Sequence, residues 1–226
     1  MSQQQRELLC TAILILSGTV LFYIFEFNSD SFQGLTWFQK ILPSLFQSVT
    51  TRTAGFNTVS QNELTMSSKA LSLGFMLIGG GSGSTAGGIK VTTAFLLLCV
   101  LIQGLDEKKG VTIFNRKINS ILLTRAGIFF GKAIFIVFLT ILSLLIAESF
   151  YGDRFSFMEI TFESFSAIAT VGLSLGITED LSNLSKIILA CTMFAGRIGL
   201  FSLILPTREI TLERSIEYPE GEILIG

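Results

Sequence analysis

Two short polar segments, each centred on a glycine, are the part of this sequence that could coordinate an ion. They read TAGFN at 53–57 and TVGLS at 170–174. Glycine allows the positive φ that turns successive backbone carbonyls toward a common axis, where they can replace the water shell of a cation. We therefore predict two filter segments, the first formed by Thr53, Ala54, Gly55, Phe56 and Asn57 and the second by Thr170, Val171, Gly172, Leu173 and Ser174.

The second filter segment begins with the three letters of the T-V-G-Y-G loops that bind potassium, and the first segment is a looser copy. One such tripeptide carries little information. Two copies, each after a short amphipathic helix and before a full membrane crossing, favour a K+ filter that uses backbone carbonyls and no covalent cofactor. A structural turn that contacts no ion is the alternative.

A glycine-rich run interrupts the longest apolar stretch of the chain, 70–102. As one helix the stretch would reach about 50 Å, whereas a bilayer core is about 30 Å thick. Irregular backbone at membrane depth is tolerated only where it is buried in protein or lines a water-filled path. We predict a broken membrane helix with a gating loop at its centre, formed by Gly79, Gly80, Gly81, Ser82, Gly83, Ser84, Thr85, Ala86, Gly87, Gly88 and Lys90.

Other interpretations of this run compete with a gating loop. Gly81, Gly83 and Ala86 fit the dinucleotide pattern G-x-G-x-x-G/A, but no alternation of strands and helices surrounds them. The phosphate-loop pattern fails because Val91 stands where Ser or Thr is needed. A glycine kink without function is a third reading, and Lys90 has the alternative of extending to the inner mouth of the membrane.

The composition favours a membrane protein. Charged residues make up 15% of the 226 residues, the net charge is −1 and mean hydropathy is +0.65, so nothing indicates a nucleic-acid partner. The absence of histidine excludes Ser-His-Asp catalysis. Lysines and arginines gather in 103–125, which the positive-inside rule places in the cytoplasm together with both termini. We expect a multi-pass protein of the cell membrane.

An internal repeat organises the chain. A shift of 117 residues without a gap superposes identical residues, among them the pairs Thr53 and Thr170, Gly55 and Gly172, Leu64 and Leu181, Met76 and Met193, and Gly79 and Gly196. The predicted fold is therefore an all-α membrane protein with two parallel membrane–pore helix–membrane repeats of the potassium-channel-like type, the second helix of the first repeat being broken. The predicted units are the first repeat 1–102, a cytoplasmic linker 103–125, the second repeat 126–206 and a cytoplasmic tail 207–226.

Arg197 lies in the middle of an apolar helix, where a charge costs at least about 2.5 kcal/mol. By the repeat it takes the position of Gly80, at the start of the glycine run. Its five N–H donors suit the unpaired carbonyls of an unwound segment, so we predict that Arg197 latches the gating loop. A tie to a neighbouring helix is the alternative. For Arg52, a charge in the outer vestibule and an anchor for the pore helix both remain open.

The stretches SVTTRTAGFNTV, IGGGSGSTAGGIKVTT, SAIATVGLSLGITEDLS, MFAGRIGL and YPEGEILIG resemble the second half of the Trk/Ktr family of potassium-uptake transporters. The resemblance implies the third and fourth of four repeats around one ion path, with 53–57 and 170–174 as two of four filter strands. It also implies that 79–90 is the gating loop beneath the filter and that Arg197 faces it. Complete subunits of the family form homodimers in the lipid bilayer and dock on a cytosolic nucleotide-binding ring.

Two repeats supply half of such a filter. We expect either that this sequence is a fragment, that a separate chain carries the first two repeats, or that two copies pair. A non-transporting assembly subunit and a membrane enzyme are the functional alternatives. An enzyme would need polar groups that converge at one depth, and Glu26, Glu148 and Glu163 lie too near loops to favour one, so no enzymatic activity is expected.

Overall fold

A computed structural model describes residues 3–81, 84, 86–103, 112–113, 116–118, 120–152 and 154–198. Within these ranges the regular structure is almost entirely helical, as the sequence predicts. The α-helices are α1 Gln3–Glu26, α2 Ile41–Thr50, α3 Met66–Leu77, α4 Val91–Gln103, α5 Ser120–Ser149, α6 Phe157–Ile168 and α7 Asn183–Ile198. Single 3-10 turns lie at Asp30–Phe32 and Gln61–Glu63. The exception is a two-residue antiparallel ladder between β1 (Thr112–Ile113) and β2 (Arg116–Lys117).

Among the described residues, two helices are long and apolar enough to cross a membrane, α1 over Glu7–Glu26 and α5 over Leu122–Ser149, and α4 is apolar but shorter. Large apolar side chains remain exposed along both long helices, as expected of helices that face lipid. They include Leu8, Leu16, Ile24, Phe135 and Ile146. The sequence predicts a further crossing over 186–205, of which the part after Ile198 lies outside the described residues.

The helices pack in two groups. In the first, α1 contacts α2, α3 and α4, and in the second α5, α6 and α7 contact one another. α3 also packs against α6, and Met76 joins Phe162 and Val171 in a buried apolar cluster at that contact. The predicted second filter segment is thus part of the core that connects the two groups.

The short helices α2 and α6 precede the predicted filter segments. With 10 and 12 residues they reach about 15–18 Å, half of a bilayer core. α6 begins with a capping box between Ser156 and Glu159, which fixes its first turn. Its surface is buried almost all round, polar side chains included, so α6 is an internal helix and not a lipid-facing one.

The long apolar stretch forms two helices, since α3 ends at Leu77 and α4 begins at Val91. The chain between them closes on itself in a narrow neck. There the Gly79 N–H donates to the Ile89 carbonyl at 2.8 Å, and the Ile89 N–H donates to the Leu77 carbonyl at 2.8 Å. A Cβ on Gly79 would lie 2.0 Å from the Gly87 carbonyl oxygen, so the neck requires glycine.

The segment 103–125, predicted as a linker, is more structured than expected at its end. α5 begins at Ser120 because the apolar residues at 121–123 continue the pattern of the helix toward the linker. The first residues of α5 therefore lie within the segment that the sequence predicts as a linker. The predicted tail 207–226 lies outside the described residues.

Each group contains a buried glutamate, at the end of its first helix, that accepts hydrogen bonds from the start of another helix in the group. The Glu26 carboxylate accepts from the N–H and the hydroxyl of Thr65, which caps α3. The Glu148 carboxylate accepts from the N–H of Ser182 and the hydroxyl of Ser185 at the start of α7. Carboxylates are well placed at helix N-termini, where N–H groups lack partners within the helix. Both glutamates therefore have a structural role that sequence reasoning missed.

We expect Glu148→Ala to lower the free energy of unfolding by about 2–3 kcal/mol, because the buried N–H of Ser182 loses its acceptor. The drop should appear as a lower thermal unfolding temperature of the complete assembly in detergent. Arg154→Ala is the control. It removes the cationic partner of Glu148, but the Arg154 side chain is 47% exposed, so the expected change is below about 1 kcal/mol. Equal effects of the two variants would contradict the structural role of Glu148.

Candidate functional site

The two predicted filter segments share an unusual backbone. Thr53 and Thr170 have positive φ angles of 69° and 54°, and Gly55 and Gly172 have 76° and 89°. A β-branched residue with positive φ is strained by about 1–3 kcal/mol and persists only where its surroundings enforce it. The same strain at the same place in both segments indicates that the conformation serves a function.

The N–H groups of the segments point back to the short helices. The Val171 N–H donates to the Ser166 carbonyl at 2.9 Å, and the Gly172 N–H donates to the Ser166 hydroxyl at 3.2 Å. In the first segment the Gly55 N–H donates to the Thr50 carbonyl at 3.3 Å. Each segment is thereby fixed to the end of its helix through its donors.

Unlike these N–H groups, most carbonyls of the segments take part in no hydrogen bond among the described residues. Within the part of the chain that the structure describes, no donor reaches six of them, those of Thr53, Ala54, Gly55, Thr170, Val171 and Gly172. Backbone carbonyls without a protein donor are groups that can coordinate a cation. They are available to a dehydrated cation.

The two segments lie against each other at their glycines. A Cβ on Gly55 would come within 2.2 Å of the Val171 carbonyl oxygen and 3.5 Å of the Gly172 Cα atom. The side chain of Val171 is buried in the protein, whereas Phe56 and Asn57 are exposed, Phe56 by 73%. The structure therefore brings the first three residues of each segment together and leaves the end of the first segment at the surface.

Polar side chains form hydrogen bonds next to the two segments. The sequence analysis did not predict these contacts. Gln47 on α2 forms two reciprocal amide hydrogen bonds with Gln61, at 2.7 and 3.0 Å. In the second group the buried Glu163 on α6 accepts from the hydroxyls of Ser174 and Thr178. Gln61 and Thr178 are 117 residues apart and so occupy equivalent positions in the repeat. The repeat could therefore have predicted a polar contact at this position in both groups.

Lys90 stabilises the predicted gating loop from within. Its ammonium group donates to the carbonyls of Ser84 and Ala86, both at 2.8 Å. These contacts favour a role in the loop over an extended position at the membrane surface. Three of the predicted loop residues, Ser82, Gly83 and Thr85, lie outside the described residues.

A cavity of about 290 Å³ separates the predicted filter from the predicted gating loop. On one side it is lined by Thr53 and Thr170, the first residues of the two segments. The remaining lining comes from the loop and from two arginines, namely Gly80, Ser84, Ala86, Arg52 and Arg197. The predicted latch residue Arg197 thus shares a cavity with the loop.

Arg52 contacts the loop directly. Its Nη2 atom donates to the Gly79 carbonyl at 3.1 Å, across the cavity from α2 to the neck of the loop. The sequence left two roles open for Arg52, an outer charge and an anchor of its own helix. The structure shows a third, a contact between the start of the first filter segment and the predicted gating loop.

A family model described as a cation transport protein, TrkH, matches residues 8–218. Among curated relatives, Ktr system potassium uptake protein B of Bacillus subtilis (strain 168) is 37% identical over 97% of this chain and 49% of its own length. The protein of the same name from Vibrio alginolyticus is 38% identical over 97% of this chain and 47% of its own length. The chain therefore spans about half the length of the curated relatives it matches.

Other comparisons agree with these. The potassium/sodium uptake protein NtpJ of Enterococcus hirae is 33% identical over 96% of this chain and 48% of its own length. The fold is similar to the crystal structure of the potassium transporter TrkH from Vibrio parahaemolyticus, with a TM-score of 0.65 at 20% identity over 89% of this chain and 44% of that one. These relatives are named as transport proteins and not as enzymes. The chain belongs to the TrkH family of cation transport proteins, which includes the Ktr potassium-uptake proteins.

Proposed function

We propose that this chain supplies two strands of a K+-selective filter in a larger membrane transporter. The observation that carries the proposal is the close approach of Gly55 to the Val171 carbonyl, which supports an ion path shared by the two carbonyl-bearing segments. The relatives named as potassium uptake proteins support K+ as the transported ion. The relative named as a potassium/sodium uptake protein makes discrimination against Na+ the property to measure.

The segments belong to two parallel repeats, each of which contributes a crossing helix, a short pore helix, a filter segment and a second helix. Equivalent contacts support the repeat. Lys69 donates to the Asn62 carbonyl, and Lys186 donates to the Glu179 carbonyl, each at 2.8 Å and separated by the same 117 residues. The buried glutamates Glu26 and Glu148 are 122 residues apart, but the residues whose N–H groups they accept from, Thr65 and Ser182, are 117 apart.

A closed filter of this type has about four strands, so two further strands must come from elsewhere. A companion that carries two more repeats fits the half-length match to the relatives. A second copy of this chain is the other source. In the complete transporter we expect pairing of subunits in the lipid bilayer and a cytosolic nucleotide-binding ring as regulator, as the family resemblance implies. Both termini then lie in the cytoplasm.

Residues 79–90 act as the gate of this path. The loop lies on the far side of the cavity from Thr53 and Thr170, and so a cation that leaves the filter meets it next. Arg52 and Arg197 add positive charge to the same cavity, which raises the barrier for a cation while the loop is in place. Displacement of the loop opens the path.

Potassium flux in liposomes tests the proposal. The chain is reconstituted alone and then together with a companion that comprises the first two repeats of a Ktr relative. We expect K+ flux, and preference for K+ over Na+, only when both are present. Selective flux from the single chain would show that two copies close one pore. No flux from the combined, correctly assembled proteins would reject an ion path through these segments.

A further inference from the structure

The predicted gating loop is hydrogen-bonded to the beginning of both filter segments. At one end, Arg52 holds the Gly79 carbonyl at 3.1 Å, and Arg52 directly precedes Thr53. At the other end, the Gly87 N–H donates to the Thr170 hydroxyl at 3.1 Å. Gate and filter are therefore joined by specific contacts and do not merely face each other across the cavity.

The contact at Thr170 is close. A Cβ on Gly87 would lie 2.5 Å from the Thr170 hydroxyl oxygen and 2.7 Å from the Ala169 carbonyl oxygen. Glycine at 87 is thus what allows the loop to reach the backbone that enters the second filter segment. Movement of the loop away from the filter must break the hydrogen bond between Gly87 and Thr170.

A threonine hydroxyl has one proton and two lone pairs, and its lone pairs can accept a hydrogen bond or face a cation. Thr170 lines the cavity at the inner end of the second segment, where a cation passes between filter and gate. While the loop is in place, the Gly87 N–H occupies a lone pair of this hydroxyl and orients it toward the loop.

We propose that the Thr170 hydroxyl couples the gate to the filter, held by the Gly87 N–H while the loop is in place and released to face K+ when the loop moves away. The inference rests on the proposed function of the two segments and the loop. It makes K+ binding at the inner end of the filter and displacement of the loop mutually favourable, because each favours the released hydroxyl.

The test compares Thr170→Val, which removes the hydroxyl and keeps the β-branched shape, with Thr170→Ser, which keeps the hydroxyl. Thr53→Val is the matched control, since Thr53 has the same strained backbone in the other segment and lines the same cavity. K+ flux of the complete transporter is measured in liposomes without cytosolic protein. Hydrogen–deuterium exchange of the Gly87 amide is measured on the same samples.

We expect Thr170→Val to raise flux through the unregulated transporter roughly two- to tenfold, the effect of losing one hydrogen bond that holds the gate. It should also raise the KM for K+ and speed exchange of the Gly87 amide. Thr53→Val should weaken K+ binding and lower flux. Thr170→Ser should reverse the effects of Thr170→Val. Equal responses to Thr170→Val and Thr53→Val, or unchanged exchange at Gly87, would overturn the coupling.

Deletion of Gly81–Ala86 separates this inference from the proposed function. If the deletion raises unregulated flux and Thr170→Val does not, the loop is a gate and the coupling through Thr170 is rejected. If the deletion does not raise flux, the gate itself is rejected and the coupling falls with it.

Discussion

Replacing Gly55 by alanine is expected to abolish discrimination between K+ and Na+ in the complete transporter, or to abolish flux altogether. The added Cβ would lie 2.2 Å from the Val171 carbonyl oxygen, a distance that no real contact shows, so one of the two filter segments must move. Displacement of that carbonyl disturbs the coordination that replaces the hydration shell of the ion. Competition of Na+ with K+ uptake measures the effect.

Variants at two other glycines with positive φ distinguish the effect of the steric clash at Gly55 from the effect of backbone strain. Gly34 has a φ of 77°, close to the 76° of Gly55, but no atom of the described residues lies within 4 Å of a Cβ there. Gly34→Ala should therefore lower stability by about 1–2 kcal/mol and leave selectivity intact. In Gly172→Ala, the nearest described atom to the added Cβ would be the Gly55 Cα at 3.8 Å. Its loss of K+ selectivity should therefore be smaller than that of Gly55→Ala and larger than that of Gly34→Ala. Unchanged selectivity in Gly55→Ala would remove these segments from the ion path.

Deletion of Gly81–Ala86 is expected to raise K+ flux at least roughly tenfold in the absence of a regulator, because the barrier below the cavity and its contacts with Lys90 are lost. The shortened chain can still close, since Gly79 and Gly87 are already in contact at the neck. Flux through the purified transporter in liposomes, with and without its cytosolic regulator, provides the measurement.

Lys90→Met is a milder variant that weakens the loop without shortening it. It keeps the length of the loop and removes the ammonium group that holds the Ser84 and Ala86 carbonyls, so we expect a smaller rise in flux in the same direction. Arg197→Ala should act likewise if Arg197 latches the loop. A deletion variant that inserts and folds normally but conducts nothing would show that the loop supports the path instead of blocking it.

The sequence predicted the helices well because apolar length and glycine content determine where a helix can cross and where it must break. The interruption of the stretch 70–102 and the short helices α2 and α6 follow from these properties alone. The start of α5 at Ser120 was missed because lysines and arginines nearby carry the charge of a linker while the residues at 121–123 already follow the helix.

Contacts between distant residues were harder to foresee. Nothing in the spacing of Arg52 and Gly79 indicates their hydrogen bond, which depends on how α2 and α3 each pack against α1. The hydrogen bond between Thr170 and Gly87 was hidden for the same reason, because the two residues are distant in the chain and adjacent only in the fold. The buried glutamates were within reach of the sequence, since each precedes its partner by a similar distance in the two repeats.

The buried glutamates also bear on how the protein folds. The Glu26 contact with Thr65 spans 39 residues of chain, and the Glu148 contact with Ser182 spans 34. Each contact lies within one of the two helix groups and so does not require the other group, and the entropy cost of closing a loop rises only slowly with its length. The first group can therefore make its glutamate contact while the second is still being synthesised. This contact closes the loop that contains 41–57, which reduces the time that the polar groups of that segment spend without partners in the membrane.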